Sequence, residues 1–389
     1  MFRPTGTMIK DGKGTESLIE QDLGAHDTPQ YRQALLHAEA GQSFMITGPT
    51  GSGKSTMVPG LVSRFLSKGH SVKIIANLGT LEMIVHEFQK REANIGRDIA
   101  RVTWKIEEKS LTIEPLQTIK RPDSIEHEKI VAAHRNSPEI HGDVLIIDDS
   151  TNIPFHAAFA TKYDQVIIIG DSAQYVSDKS TYEVAAISEL PQVCLRGNHR
   201  AANCDTMIWS YIFIYDCSVA YRRAGRPTSQ LQYVPLARIN KGVVETEAVA
   251  VSKAVRKALQ NNETLGVIAF SRKQLQLILE LMDADDLHRL AFAGLPNEIM
   301  GKEADVVFLS LGIALTQKDR LPLTSEGLEG RHAIGAMNIA LSRARNQNVI
   351  FSSVLPSDID LRVASDAQVL VLSVLETFNH LRKRYVTPQ

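Results

Sequence analysis

The strongest chemical signal in the chain is the stretch GPTGSGKST, which fits the pattern GxxxxGK[ST]. It follows the apolar run SFMIT and precedes the helical stretch TMVPGLVSRFLSKG. In such a loop the backbone N–H groups point at phosphate oxygens, and the dipole of the following helix adds positive potential. The pattern predicts that Lys54 reaches the β- and γ-phosphates of ATP and that the Ser55 hydroxyl holds Mg²⁺. The expected nucleotide-binding residues of the loop are Gly48, Pro49, Thr50, Gly51, Ser52, Gly53, Lys54, Ser55 and Thr56.

Carboxylates follow two further apolar runs. Asp148 ends the run VLIID, which places it at the carboxyl edge of a sheet as a Mg²⁺ ligand. Asp149 comes next and is the candidate general base for the attacking water, with a helix-capping or metal-binding role as the alternative. The run VIIIG is followed by Asp171 and Gln174, and the Gln174 amide can hydrogen-bond the γ-phosphate or the water. These runs therefore supply the candidate catalytic residues Lys54, Asp148, Asp149 and Gln174.

The runs that carry these residues belong to a repeated pattern of short apolar strand and helical stretch. Strands are predicted over 43–47, 72–77, 144–148 and 166–170 in the first half, and over 265–270, 305–311 and 348–354 in the second. Continuous β-branched runs separated by helices are typical of parallel strands buried on both faces. A helix is predicted from Pro29, with Thr28 as its cap. The sequence thus predicts an α/β fold with parallel sheets flanked by helices.

Length and composition indicate how this pattern divides. The chain has 389 residues, of which 43% are hydrophobic and 22% charged, and its formal net charge is −1. At roughly 100–200 residues per domain, two or three domains are expected. We predict a loose N-terminal arm over 1–25, an ATP-binding domain over 26–193 and a second domain over 194–389. The balanced charge excludes a chain that coats nucleic acid by bulk attraction, but it allows a local basic track.

Cysteine usage and apolar runs bear on the compartment. The chain has three cysteines, Cys194, Cys204 and Cys217, without CxxC spacing, so neither a disulfide framework nor a zinc site is expected. No run approaches the roughly 18 apolar residues of a membrane helix, and the N-terminus lacks the apolar stretch of a signal peptide. We therefore expect a reducing, intracellular (cytoplasmic) environment and no membrane partner.

The order of motifs resembles that of superfamily 1 helicases. GPTGSGKST is similar to their motif I, IIDDS to motif II and GDSAQ to motif III. In the second half LRGNHR resembles the arginine-finger segment, VIAFSRKQLQLI motif IV, MGKEADVVFLSLG motif V and MNIALSRAR motif VI. The tail SSVLPSDIDL is similar to that of the nonsense-mediated-decay-helicase-like branch. The resemblance covers about 28–362 and implies two RecA-like P-loop domains with ATP bound between them.

The resemblance also implies roles for single residues. Gln30 resembles the adenine-reading glutamine, and Arg200 and Arg343 resemble arginine fingers that the second domain brings to the γ-phosphate. Glu303 would touch the ribose or the phosphate network, and Thr80 the nucleic-acid backbone. Each residue also has a structural alternative. Gln30 would then be a solvated first-turn side chain, and the arginines would be a surface cation (Arg200) and a helix-face ion-pair partner (Arg343). Glu303 would be a loop carboxylate, and Thr80 a helix cap. Arg345 is expected to be structural or an indirect sensor.

Three functions remain open at this stage. The favoured one is an ATP-dependent helicase or translocase acting on single-stranded DNA or RNA, because an arginine from a second domain couples domain closure to hydrolysis. The second is a nucleic-acid-stimulated ATPase that remodels protein–nucleic-acid complexes without unwinding. The third is a non-catalytic P-loop assembly module, which Asp149 and Met300 keep open because both depart from the family pattern. We expect a monomeric core that leaves room for protein partners in a larger complex.

Overall fold

The protein is described by a computed structural model. It describes residues 28–76, 81–82, 84–86, 100–105, 110–115, 142–153, 163–174, 180–202, 204–215, 220–221, 228–235, 239–240, 242–315, 322–323, 326–330 and 332–385. The expected arm over 1–25 and the candidate nucleic-acid contact Thr80 lie outside these residues. No helix in the described ranges combines the length and apolarity needed to cross a membrane.

Seven strands form the first sheet. They are β1 (Phe44–Thr47), β2 (Val72–Ile75), β3 (Ala100–Lys105), β4 (Ser110–Pro115), β5 (Gly142–Ile147), β6 (Tyr163–Gly170) and β7 (Gln192–Cys194). Their spatial order is β3-β4-β2-β5-β6-β1-β7. The neighbouring pairs β2-β5, β5-β6, β6-β1 and β1-β7 are parallel. In contrast, β4 is antiparallel to both of its neighbours, β2 and β3. The carboxyl ends of β1, β5 and β6 therefore meet at one edge of the sheet.

Among the helices whose bounds lie within the described residues, three flank this sheet. They are α1 (Pro29–Glu39), α2 (Val58–Ser67) and α3 (Thr181–Ile187). The Thr28 side chain accepts a hydrogen bond from the Tyr31 N–H at 3.2 Å, so α1 begins with the predicted cap. Apolar residues of α1 and α2 share one core cluster with β1, β2, β5, β6 and β7, and α3 packs against the opposite face. The first sheet is thus a layer between helices.

The chain then passes through a short connecting region. It contains β8 (Gly197–Asn198), helix α4 (Ile208–Phe213) and β9 (Ala220–Tyr221), and β8 pairs in parallel with β9. Trp209 of α4 is buried in a core cluster of the second half, where its indole N–H donates to the Ser373 hydroxyl at 2.8 Å. Helix α4 therefore packs on the second half of the molecule.

The second sheet has five parallel strands in the order β10-β18-β15-β13-β14. These strands are β10 (Gln230–Tyr233), β13 (Leu265–Ala269), β14 (Leu290–Gly294), β15 (Ala304–Ser310) and β18 (Ala344–Ser352). Two small antiparallel pairs accompany it, β11 (Ile239–Asn240) with β12 (Val243–Val244) and β16 (Ala314–Leu315) with β17 (Pro322–Leu323). The helices are α5 (Glu245–Ala258), α6 (Arg272–Glu280), α7 (Ala284–His288), α8 (Ala333–Leu341) and α9 (Asp366–Tyr385).

The predicted fold class is confirmed. All seven strands predicted from apolar runs are present, and each pairs in parallel with at least one neighbour. Helices α5 and α6 pack on one face of the second sheet and α8 and α9 on the other, which explains why its strands β13 and β15 are buried and mostly apolar. Within the two main sheets, the sequence did not predict the strands β3, β4, β7, β10 and β14.

Candidate nucleotide-binding site between the two sheets

The loop after β1 adopts a tight curl that glycine permits. Gly51 and Gly53 have φ of +77° and +88°, in the left-handed region. A Cβ at Gly51 would lie 2.8 Å from the Cβ of Arg200, so this position is also closed to side chains by packing. Beyond the loop, one turn of 3₁₀-helix (Ser55–Met57) leads into α2. The sequence GPTGSGKST therefore forms the predicted strand–loop–helix unit.

Lys54 folds back over this loop. Its Nζ donates to the carbonyl oxygens of Gly48 at 2.6 Å and Pro49 at 2.9 Å, and it lies 4.0 Å from Oδ2 of Asp171. Burial lowers the pKa of Lys54 below its usual value, while the carboxylates of Asp171 and Asp148 act in the opposite direction. The lysine is thus a buried cation held by neutral carbonyls and by carboxylates at the ends of neighbouring strands.

Asp148 and Asp149 follow β5 at the same edge. Asp148 is 1% exposed, and burial together with the charge of Asp149 raises its pKa, while a hydrogen bond from the Ser55 hydroxyl opposes the rise. Oδ1 of Asp148 accepts the Asp149 N–H at 2.9 Å, and Oδ2 has no hydrogen-bond partner among the described residues. Asp149 has φ 53° and ψ 35°, a left-handed conformation that costs a non-glycine residue roughly 1–2 kcal/mol. The buried carboxyl group of Asp148 and the strained backbone of Asp149 therefore lie side by side next to the loop.

Asp171 and Gln174 follow β6 and contact Thr50 of the loop. Gln174 is buried, and its Nε2 donates to the Thr50 hydroxyl oxygen. Oδ2 of Asp171 accepts the Tyr215 hydroxyl at 2.6 Å and lies 3.4 Å from the Thr50 Oγ1. Asn338 of α8 donates to the Tyr215 hydroxyl at 2.9 Å and to the Ala173 carbonyl at 3.1 Å. The end of β6 is thereby linked to both the loop and a helix of the second sheet.

The segment after β7 lies against the loop. Asn198 donates to the Thr50 carbonyl at 2.9 Å, and the His199 N–H donates to the Gly51 carbonyl at 2.7 Å. From this position the Arg200 side chain reaches the second sheet, where Nε donates to Glu303 at 2.7 Å and Nη1 to the Ser342 carbonyl at 3.3 Å. Arg200 thus spans the space between the loop and the second sheet.

Glu303 joins two arginines. Its Oε2 accepts from Arg200, and its Oε1 accepts from Nη1 of Arg345 at 3.0 Å. Arg345 also donates to Asp305 at 3.0 Å and to the Thr264 hydroxyl at 3.0 Å, and its hydrogen bond to Asp305 raises its pKa. The Arg345 side chain therefore has hydrogen-bond partners only within the second half among the described residues, whereas Glu303 also contacts Arg200.

Arg343 lies deeper in the same region and is 2% exposed. Its guanidinium donates to the carbonyls of Ile339 at 3.0 Å and Lys302 at 3.4 Å, and to the Ser342 hydroxyl at 3.0 Å. Burial lowers the pKa of Arg343 to about 9, with repulsion by Arg200 as the next cause and the charge of Asp149 opposing the change. Arg343 is therefore a buried cation within electrostatic range of both arginine and carboxylate partners of the site.

The structure brings most of the predicted site residues together. The contacts above place Lys54, Asp148, Asp149, Gln174, Arg200, Glu303 and Arg343 in one region between the sheets. Thr56 is exposed and donates to the Gly53 carbonyl at 2.7 Å, so its hydroxyl is committed to the loop itself. Gln30 is half-buried on the first turn of α1. Thr80 lies outside the described residues.

Two orphaned polar atoms test whether the residues fit a magnesium nucleotide. Oδ2 of Asp148 and the Ser52 hydroxyl are buried and have no hydrogen-bond partner within the described ranges. Buried polar atoms of this kind normally have partners, so an additional ligand is expected beside them. Mg²⁺ prefers carboxylate and hydroxyl oxygens together with substrate phosphates. The donor set around Asp148 and Ser55 therefore fits Mg²⁺ bound to a nucleotide.

Three polar residues of this region were not predicted as site residues. Asn198 and Asn338 both lie inside the segments LRGNHR and MNIALSRAR, so proximity to the arginines is a signal that singles them out. Tyr215 lies outside every motif, and its partners Asp171 and Asn338 are 44 and 123 residues away in sequence. No local spacing in the sequence points to Tyr215.

Comparison with known families gives one match. The model of the viral superfamily 1 RNA helicase core domain matches residues 44–352. This range extends from the first residue of β1 to the last residue of β18 and includes both sheets. No curated protein matches the chain. The narrower placement in the nonsense-mediated-decay-helicase-like branch stays a prediction.

Several solved helicase structures are similar to the chain at low identity. An arterivirus nonstructural protein 10 helicase with DNA has 15% identity and a TM-score of 0.43, with 82% of this chain and 62% of that chain covered. The DUF1998 helicase MrfA bound to DNA has 13% identity and a TM-score of 0.49, with 97% and 54% covered. The PRRSV helicase has 12% identity and a TM-score of 0.36, with 82% and 54% covered. The chain spans less than two thirds of the length of each.

Proposed function

Because the chain belongs to the viral superfamily 1 RNA helicase core domain family, we propose that it hydrolyses ATP between its two sheets to move along single-stranded nucleic acid. One observation carries the proposal: Lys54, Asp148 and Asp171 converge at the carboxyl edge of the first sheet, where Arg200 extends from the loop toward the second sheet and Arg343 lies on the side of that sheet. Cations on both sides of a phosphate-binding loop are the arrangement that phosphoryl transfer requires.

The proposed chemistry divides among these residues. Lys54 neutralises negative charge on the β- and γ-phosphates, and Asp149 positions the attacking water and accepts its proton. Arg200 and Arg343 stabilise the charge that grows on the transferred phosphoryl group. When bound by Ser55 and Asp148, Mg²⁺ would neutralise the phosphate oxygens that these side chains do not reach.

Movement along a strand would follow from the position of the arginines. Arg200 reaches from the loop to Glu303 and Ser342, so its contacts depend on how the two sheets approach each other. Hydrolysis that requires closure makes each turnover a cycle of closing and opening, and a strand held by both halves can be advanced by that cycle. DNA and RNA both remain candidates for the strand.

The experiment that tests this function measures ATP turnover with and without poly(dT) and poly(U). We expect stimulation by at least one single strand, and loss of about 100-fold or more in turnover for Lys54→Ala. The matched control is Lys68→Ala, because Lys68 is an exposed lysine just beyond the other end of α2. Wild-type turnover in a folded Lys54→Ala protein would contradict the site, and no stimulation at low salt would leave the assembly-module alternative.

The strand requirement has its own readouts. Backbone contacts release counterions, so affinity for a single strand should fall with salt, with a slope of about −0.7 per phosphate contact on a log–log plot. A duplex with a single-stranded tail then separates a helicase from a remodelling ATPase. Strand separation supports the helicase, and stimulated turnover without separation supports the remodelling alternative.

A further inference from the structure

One oxygen atom, the hydroxyl of Tyr215, connects three parts of the site. It donates to Oδ2 of Asp171 at 2.6 Å and accepts from Nδ2 of Asn338 at 2.9 Å. The backbone N–H of Thr50 also donates to it. These partners belong to the phosphate-binding loop, the end of β6 and helix α8. Tyr215 itself lies two residues beyond α4, in the connecting region.

The Tyr215 hydroxyl both donates and accepts hydrogen bonds. Burial and the neighbouring carboxylate of Asp171 raise the pKa of Tyr215 well above its usual value, so the phenol stays protonated. A protonated phenol can donate one hydrogen bond and accept others. Its proton goes to the carboxylate, and its oxygen accepts from Asn338 and Thr50. The oxygen therefore links these three partners.

The connection continues on both sides. On the first-sheet side, Gln174 donates to the Thr50 hydroxyl, so the β6 end and the loop are held together. On the second-sheet side, Asn338 lies on the last two turns of α8, and Arg343 follows that helix with its Nε bound to the Ile339 carbonyl at 3.0 Å. A shift of α8 therefore moves Arg343 with it.

We propose that Tyr215 is a positioning residue for ATP hydrolysis, whose hydroxyl holds α8, and thereby Arg343, in register with Thr50 and Asp171. The inference rests on the function proposed above, and it extends that function to a residue outside every sequence motif. Tyr215 does not touch the reacting atoms in this account. It sets the distance between the phosphate-binding loop and the helix that carries the arginine.

The experiment compares kcat and KM for ATP in Tyr215→Phe, Asn338→Ala and the double variant. Each single change removes the contact between the tyrosine hydroxyl and α8. Loss of one or two hydrogen bonds in a closed site predicts a fall in kcat of about tenfold, with KM changed by less than about twofold. Asn338→Ala also removes the hydrogen bond to the Ala173 carbonyl, so it should be the worse single variant. Because it already breaks the contact that Tyr215→Phe removes, the double variant should lose no more than about twofold beyond Asn338→Ala.

Ser373→Ala is the matched control. It removes the hydrogen bond that Trp209 of α4 makes to α9, so it loosens the same connecting region without touching the Tyr215 hydroxyl. We expect turnover of this control within about twofold of wild type. Asn338→Ala keeps the test open if Tyr215→Phe fails to fold.

Each outcome decides between distinct failures. Suppose that the wild type hydrolyses ATP. If kcat is then unchanged in Tyr215→Phe, or if the losses of the single variants multiply in the double variant, the positioning role is overturned and the proposed function stands. A similar loss in Ser373→Ala also overturns it, because general loosening would then explain the effect. A wild type that hydrolyses no ATP overturns the proposed function itself, and the positioning role with it.

Discussion

A buried carboxyl group in the second sheet predicts a specific pH dependence of stability. Glu247 on the first turn of α5 is 0% exposed. Its Oε1 accepts the Ser310 hydroxyl at 2.6 Å and the Gly312 N–H at 2.8 Å, and its Oε2 accepts the Ser353 hydroxyl at 3.1 Å. Ser310 ends β15 and Ser353 follows β18, so this carboxyl group ties α5 to the ends of two central strands.

The size of the effect follows from the pKa of this group. Burial raises the pKa of Glu247 from 4.5 to about 7, against the opposing effect of its hydrogen bonds. The folded protein therefore binds the proton more tightly than the unfolded chain. The resulting stabilisation is complete below pH 4.5 and is lost as the pH rises through about 7. At about 1.4 kcal/mol per pH unit, the free energy of unfolding should fall by about 3 kcal/mol across this window.

The assay is urea unfolding of wild type and Glu247→Gln at pH values from about 5 to about 8. Trp209 lies in the core cluster of the second sheet, and Trp104 is the only other tryptophan, so a Trp104→Phe background makes fluorescence report this half. Most of the 3 kcal/mol should appear as a growing advantage of Glu247→Gln at higher pH. Glu245→Gln, exposed on the same turn, should follow wild type. Parallel curves for wild type and Glu247→Gln would refute the reasoning.

Three further changes test the nucleotide site. Asp149→Asn should retain ATP binding and lose turnover, whereas Asp148→Asn should also raise the Mg²⁺ concentration needed for activity. A Mg²⁺ titration of ATP turnover checks this, and equal, mild losses in both variants would mean that the two roles are misassigned. Glu303→Gln frees Arg200 from a partly exposed ion pair, so the free energy of unfolding should fall by less than about 1 kcal/mol. In an equilibrium binding assay, the Glu303→Gln variant should bind ATP more tightly than wild type. Weaker binding would instead indicate that Glu303 contacts the nucleotide directly.

The sequence predicted those strands whose burial is unambiguous. The stretches VLII of β5 and VVFL of β15 are continuous apolar runs because other elements pack on both faces of the sheets, and such runs stand out from their surroundings. In contrast, β7 and β10 lie at sheet edges, read QVC and QLQY, and carry exposed residues at several positions. Edge strands lack the continuous apolar pattern, so periodicity does not separate them from loops.

The site was predictable to the extent that it follows from strand ends. Lys54, Asp148 and Asp171 each follow an apolar run, and parallel strands bring their carboxyl ends to one edge. Tyr215 and Glu247 could not be predicted in this way, because their hydrogen-bond partners come from distant segments of the chain. The partners of Tyr215 meet between the two sheets, and those of Glu247 meet where α5 packs on the second sheet. A hydroxyl or carboxyl group in isolation gives no periodic signal, and its importance appears only with its hydrogen-bond partners.

The partners of the three site cations differ in a way that orders their engagement with a nucleotide. Lys54 and Arg343 donate to neutral backbone carbonyls, whereas Arg200 donates to the carboxylate of Glu303. All three donors are cations, but a carboxylate adds a Coulomb attraction that a neutral carbonyl lacks, so a phosphate replaces a carbonyl more readily than a carboxylate. Lys54 should therefore engage the phosphates first, and Arg200 should follow only when movement of the second sheet weakens its contact with Glu303. Arg200 is thus the cation whose engagement depends most directly on closure of the two halves.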